Sequence, residues 1–159
     1  MSITIRHASA SDMADVGRLG AMLVRAHHDF DALRFIPATP ETDVRYGAYL
    51  DTQLGVKDVV VLVAEEDGSL LGYSYAGMEG LDYMALRGPA GAVYDIIVDP
   101  AHRGRGVGRL LLDATLAELE ALGAPRVVLS TAERNDAAQH LFERAGFRRT
   151  MIEMTRESK

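Results

Sequence analysis

Val98-Asp99-Pro100-Ala101-His102-Arg103-Gly104-Arg105-Gly106-Val107-Gly108-Arg109 is the stretch from which the rest of the chain can be read. An apolar run from Ala92 to Val98 ends at Asp99-Pro100, and beyond the glycines an amphipathic pattern begins. Proline removes a backbone donor and restricts the residue before it, so the run reads as a strand that stops there. Gly104, Gly106 and Gly108 let the backbone approach a ligand closely, and the N–H groups at a helix start converge on one point. Arg103, Arg105 and Arg109 place three positive charges within seven residues of a chain whose formal net charge is −6. A basic knot on an acidic protein predicts a phosphate-bearing ligand at this turn, not a broad nucleic-acid surface.

Towards the C-terminus, Gly106 to Leu122 carries Val107, Leu110, Leu111, Ala114 and Ala117 on one helical stripe, closed by Gly123. Arg126 to Thr131 reads as a strand, and Asn135 as the cap of a short helix. In that helix Ala138, Leu141, Phe142 and Ala145 face inward, and Gly146 ends it in the left-handed position. Phe147 to Arg156 is expected as a last strand.

On the N-terminal side, Ser2 to Ala8 is a short strand, and Ser9 with Asp12 fits a capping box before a long helix. Glu41 to Leu54 is expected as a second helix with Val44, Ala48 and Leu54 inward. Val59 to Ala64 is a continuous β-branched run, a buried strand, and Asp67-Gly68 turns it back into Leu70 to Met78. Glu79 to Gly91 is a loop with apolar tips, a candidate lid. The order βααββ-βαβαβ predicts an α/β (α+β) fold, a mixed central sheet with helices on both faces. The 159 residues are expected to form a single domain.

Composition narrows the chemistry. There is no cysteine, which excludes disulfides and thiolate nucleophiles. The five histidines lack metal-ligand spacing, so no metal site is expected. No apolar run is long enough to span a membrane and no signal-peptide pattern opens the chain, so no membrane partner and a cytoplasmic location are expected, and a pI near 5.3 argues against nucleic acid as a partner. A Walker-type loop is excluded because no lysine and hydroxyl pair follows the glycines, and Arg109-Leu110-Leu111 supplies no third glycine for a dinucleotide fingerprint.

Two motifs stand in fixed order: Arg103-Gly104-Arg105-Gly106-Val107-Gly108 after Val98-Asp99-Pro100, and Asn135-Asp136-Ala137-Ala138-Gln139-His140-Leu141-Phe142 before Gly146-Phe147. In these the chain resembles the GNAT superfamily of N-acetyltransferases, which use acetyl-coenzyme A. The likeness is close from Ala92 to Phe147 and rests on element order alone in the N-terminal half. It implies a pyrophosphate on the N–H groups of Gly104, Arg105, Gly106, Val107, Gly108 and Arg109, with Arg103 beside it. It implies a pantetheine arm along Ile96, Ile97 and Val98, flanked by Asn135, Ala138 and Phe142. The implied acceptor is a primary amine of a small molecule or peptide.

The resemblance further implies direct attack of that amine on the acetyl carbonyl. A base is then needed, since an alkylamine titrates near ~10.4. Asp95 is the first candidate, and Tyr94 and Glu79 acting through water the second. Many relatives carry tyrosine where this chain has Phe142, which cannot protonate the departing sulfur. Tyr94, Tyr73, Tyr75 or water are the stand-ins. That substitution also motivates a rival class, a non-catalytic acyl-CoA-binding or regulatory module; transfer of a larger acyl group is a third reading. A homodimer is expected through the terminal strand and the apolar loop.

Overall fold

The structure is a computed structural model that describes residues 2–159. Five strands lie in the order β1 (Thr4–His7), β2 (Val59–Glu66), β3 (Ser69–Glu79), β4 (Ala90–Val98) and β5 (Val127–Leu129). The first four pair antiparallel and β5 runs parallel to β4. Helices α1 (Met13–Phe30) and α2 (Thr42–Gln53) cover one face, and α3 (Val107–Ala121) covers the other. A short helix, α4 (Asp136–Arg144), follows β5.

The two faces have separate cores because β2 buries both of its sides. Val61 and Val63 meet Val16, Leu19 and Leu50 beneath α1 and α2, while Val60 and Leu62 meet Val107, Leu111 and Leu119 of α3. Each fully buried valine or leucine contributes about 1.5–3 kcal/mol, so the continuous apolar run of β2 anchors both layers. Asp67 and Gly68 join β2 to β3 with φ of 52° and 79°. Two successive positive φ values are the type I′ hairpin geometry that an Asp-Gly pair favours.

Helices α1 and α2 cross closely at Gly17 and Gly47. A Cβ on Gly17 would run into the Asp43 carbonyl, and one on Gly47 into that of Met13. The start of α1 is held by Asp12, whose carboxylate accepts from the Ser9 N–H at 2.8 Å and from both terminal nitrogens of Arg6 at 2.8 and 2.9 Å. The Arg6 contact, above all, holds the Asp12 carboxyl down at about 2.

Three expectations are corrected. Residues 147–156 form no strand: Phe147 packs edge-on against Phe142, and residues 148–156 are exposed and tied by side chains, Glu153 to Arg34 and Arg149 to Gln139 and Glu143. With β5 only three residues long, the sheet edge beside it offers little to pair with. In α2, Val44 and Ala48 point outward, and Tyr46, Gly47 and Leu50 turn in, because the close crossing with α1 needs the glycine at the contact. In α3, Leu110 and Ala117 are exposed, and Leu112, Thr115 and Leu119 complete the buried stripe.

Candidate active site

The site begins with an irregularity in β4. Tyr75 pairs with Asp95, but its neighbour Ala76 pairs with Val93, so Tyr94 is an extra residue in β4. A bulge of this kind re-aims the side chains that follow it. Val93 packs in the α3-side core, whereas Ile97, an even number of residues later, packs in the α1–α2 core. The same inversion delivers Asp95 to the α1–α2 face. There Asp95 Oδ2 accepts from the Tyr46 hydroxyl of α2 at 2.5 Å and from the Tyr73 hydroxyl of β3 at 3.0 Å.

The bulge also marks where the sheet opens. β4 and β5 pair only at Gly91–Val127, Ala92–Val128 and Val93–Leu129. Beyond that point β4 continues to Val98 without β5, and a cavity of about 270 Å³ lies in the opening. Tyr94, Asp95 and Ile96 line it from β4, Ser130 and Thr131 from beyond β5, Asn135, Ala138 and Phe142 from the α4 side, and Leu23 and His27 from α1.

The glycine turn stands at the end of β4. Gly104 and Gly106 have φ of 76° and 80°, the left-handed region that a side chain would strain. Among the described residues, no protein acceptor takes the backbone N–H of Gly104, Arg105, Gly106, Val107, Gly108 or Arg109. Gly108 fits α3 against its neighbours: a Cβ there would meet Leu141 at 3.3 Å and Val98 at 3.6 Å. The arginine side chains are largely engaged elsewhere. Arg105 grips Glu66 at 2.8 and 2.9 Å, Arg109 reaches Asp113 at 2.8 Å and the Arg144 carbonyl, and Arg103 Nε donates to the Val98 carbonyl at 3.3 Å. Positive charge stays local, while the unsatisfied donors are amides.

Of the acid–base candidates, Asp95 and Tyr94 reach the cavity, and Glu79 is not among the residues that line it. Tyr94 donates to Glu79 at 2.9 Å, and Glu79 pairs with Arg87 at 2.7 Å. Burial and that bond to Glu79 push the Tyr94 hydroxyl up to about 12, so it keeps its proton at neutral pH. Burial also raises Tyr46 and Tyr73, helped by the nearby Asp95 charge, and both act as donors. Asp95 is itself raised from the ordinary carboxylate range by burial, against the pull of its two tyrosine donors. Tyr46 and His27 are missing from the sequence-level candidates. Tyr46, Leu50 and Gln53 do recur at helical spacing and mark the inward side of α2, but Val44 and Ala48 suggest a competing apolar face.

The Acetyltransferase (GNAT) family model matches residues 24–147. The chain belongs to the GNAT acetyltransferase family. Among its GNAT relatives, the mycothiol acetyltransferase of Thermobispora bispora is 41% identical over 96 residues, which cover 58% of this chain and 31% of the relative. That of Cellulomonas flavigena is 39% identical over 97 residues, 58% of this chain and 28% of the relative. The chain thus matches under a third of the length of these curated relatives. Solved structures share the fold at low identity. A mutant of the BH1408 protein from Bacillus halodurans superposes with a TM-score of 0.84 at 23% identity, covering 98% of this chain and 99% of that one. A predicted acetyltransferase from Clostridium acetobutylicum, solved with acetyl-CoA, gives 0.74 at 16% identity, with 97% and 96% covered.

Proposed function

We propose that this chain transfers an acetyl group from acetyl-CoA to a primary amine of a small molecule, by direct attack of the amine on the thioester. The observation that carries the reading is the opening between β4 and β5, with unpaired amides at the glycine turn and a half-buried carboxylate beside the cavity. Family membership supports an acetyltransferase, and the mycothiol acetyltransferase relatives favour a small acceptor.

In this reading the amides of Gly104 to Arg109 hold the pyrophosphate, with Arg103 alongside. Each charge-assisted bond is worth ~1.5–3 kcal/mol, so a few reach the ~8 kcal/mol of micromolar binding. The pantetheine lies along Ile96 to Val98, against Asn135, Ala138 and Phe142. A backbone N–H of the same strand segment stabilises the carbonyl oxygen as charge develops there. Asp95 draws the acceptor ammonium to the cavity by charge. Phe142 has no proton to give the sulfur, but a thiol titrates near ~8.5 and departs acceptably as thiolate.

The test is thiol release from acetyl-CoA with a panel of aminosugars, diamines and amino acids. Release that depends on one class of amine is expected. Tight coenzyme A binding with no thiol release from any amine would overturn the proposal in favour of a non-catalytic acyl-CoA-binding module, the reading that Phe142 favours.

A further inference from the structure

His27 sits three residues before the end of α1 and lines the cavity that Asp95 lines from β4. Its Nδ1 is 2.8 Å from the Leu23 carbonyl oxygen. A carbonyl oxygen only accepts, so Nδ1 carries the hydrogen and the neutral ring keeps its lone pair on Nε2. No side chain or backbone group among the described residues bonds that second nitrogen, and it is not sealed in the interior. Phe30 and Phe35 hold the ring edge-on, with centroids at 5.9 and 5.0 Å. The result is a fixed imidazole whose one free acceptor belongs to a cavity-lining residue. Taking a proton on Nε2 would leave the bond to Leu23 intact, so the ring need not move to do so.

Asp95 is differently placed. Burial raises its carboxyl, but Oδ2 already accepts two tyrosine hydroxyls, which favour the anion and occupy that oxygen. An imidazole ordinarily titrates roughly two to three pH units above a carboxylate, nearer to an alkylammonium, so transfer to it is less uphill.

Resting on the acetyltransferase reading above, we infer that His27 is the general base for the acceptor amine, with Asp95 as its electrostatic anchor. The acceptor ammonium gives one proton to His27 Nε2, which passes it to solvent. The freed nitrogen lone pair attacks the thioester carbonyl carbon, the carbon–sulfur bond breaks, and the second nitrogen-bound proton leaves with the thiolate as coenzyme A thiol. Products are the acetamide, the thiol and one proton in solution. The charged and titratable groups around the ring are Asp95 and Tyr94 across the cavity, His28 on the Phe35 carbonyl, Arg34 stacked on Phe35, and Arg134 on the Phe30 carbonyl.

The decisive comparison is His27→Gln and His27→Asn against the unaltered protein, with the best amine of the panel. At neutral pH kcat should fall about 100-fold or more, the lower bound for losing a general base. Coenzyme A affinity should stay within about twofold, because the turn residues proposed to hold the pyrophosphate are not among those that line the cavity with His27. Near pH 9, where much more of an alkylamine is already unprotonated, the deficit should shrink at least tenfold. Nitrogen NMR of the unaltered protein should show Nδ1 as the protonated nitrogen of the neutral ring. A rate within threefold of the unaltered protein, a deficit that is the same at both pH values, or an Nε2–H tautomer would each overturn the assignment. If the unaltered protein releases no thiol with any amine of the panel, the acetyltransferase reading itself fails and this inference falls with it.

Discussion

At the glycine turn the groups that matter are backbone amides from one continuous stretch, Gly104 to Arg109. At the other end of the cavity they are side chains from four elements: His27 of α1, Tyr46 of α2, Tyr73 of β3 and Asp95 of β4. The first end depends on local φ and ψ and on little else. The second depends on how two helices are seated against the sheet. A defect in seating should therefore damage acceptor chemistry and spare the turn, whereas a defect in the turn should do the reverse.

The largest effect is expected where the helices cross. Gly17→Ala gains about 1 kcal/mol of helix propensity but forces a methyl group into the Asp43 carbonyl. Overpacking against backbone costs about 1–3 kcal/mol, so the clash outweighs the gain. Because the methyl would meet backbone, which cannot swing aside, the upper end of that cost applies, and thermal unfolding should show net destabilisation approaching about 2 kcal/mol. The acceptor KM should rise more than the coenzyme A Kd, and an equal rise in both would contradict the division of labour. Next comes Gly106→Val, which costs roughly 1–2 kcal/mol of left-handed strain at the turn. Calorimetry with coenzyme A should show at least a tenfold weaker Kd. Gly123→Val, which meets the same strain at the far end of α3 (φ 91°), should lose comparable stability with unchanged affinity.

The smallest effect concerns the anchor of α1. A carboxyl held low in the folded state stabilises it at pH values above its ordinary 3.8, and loses that contribution as pH falls towards 2. Asp12 should therefore weaken the fold between about pH 4 and 2, and Asp12→Asn should flatten the dependence there. Because Arg6 is partly exposed, the loss at neutral pH should be on the order of 1–2 kcal/mol. An unchanged acid limb in denaturant titrations would show that the pair does not hold α1.

The same contrast explains what could be read from the residues alone. The glycine turn, the Asp67-Gly68 hairpin and the Asn135 cap are local choices written in consecutive residues, and each is found where the pattern places it. The five strands and four helices follow from periodicity and turn chemistry in the same way. The acceptor end is not local. Asp95 stands out as a carboxylate in an apolar strand, but its tyrosine donors lie 49 and 22 residues away. His27 has no sequence signal beyond being polar in an amphipathic helix; only the bond to Leu23 and the cavity distinguish it from His28. The expected last strand is missing for a related reason: Thr150 to Met154 suits an extended backbone, but a strand also needs an edge to join.

Tyr94 gives β4 an odd length between its two halves, and that has an evolutionary corollary. Val93 and Asp95 face opposite sides of the sheet, as two consecutive residues of a regular strand would, and they oppose the consecutive residues Ala76 and Tyr75. Losing Tyr94 would therefore remove the bulge and the hydroxyl that bonds Glu79 while leaving Asp95 turned towards α1 and α2. A second deletion has no such slack and would exchange inside for outside along the remainder of the strand. A family tree of such chains should tolerate a single gap at this point and almost none on either side of it.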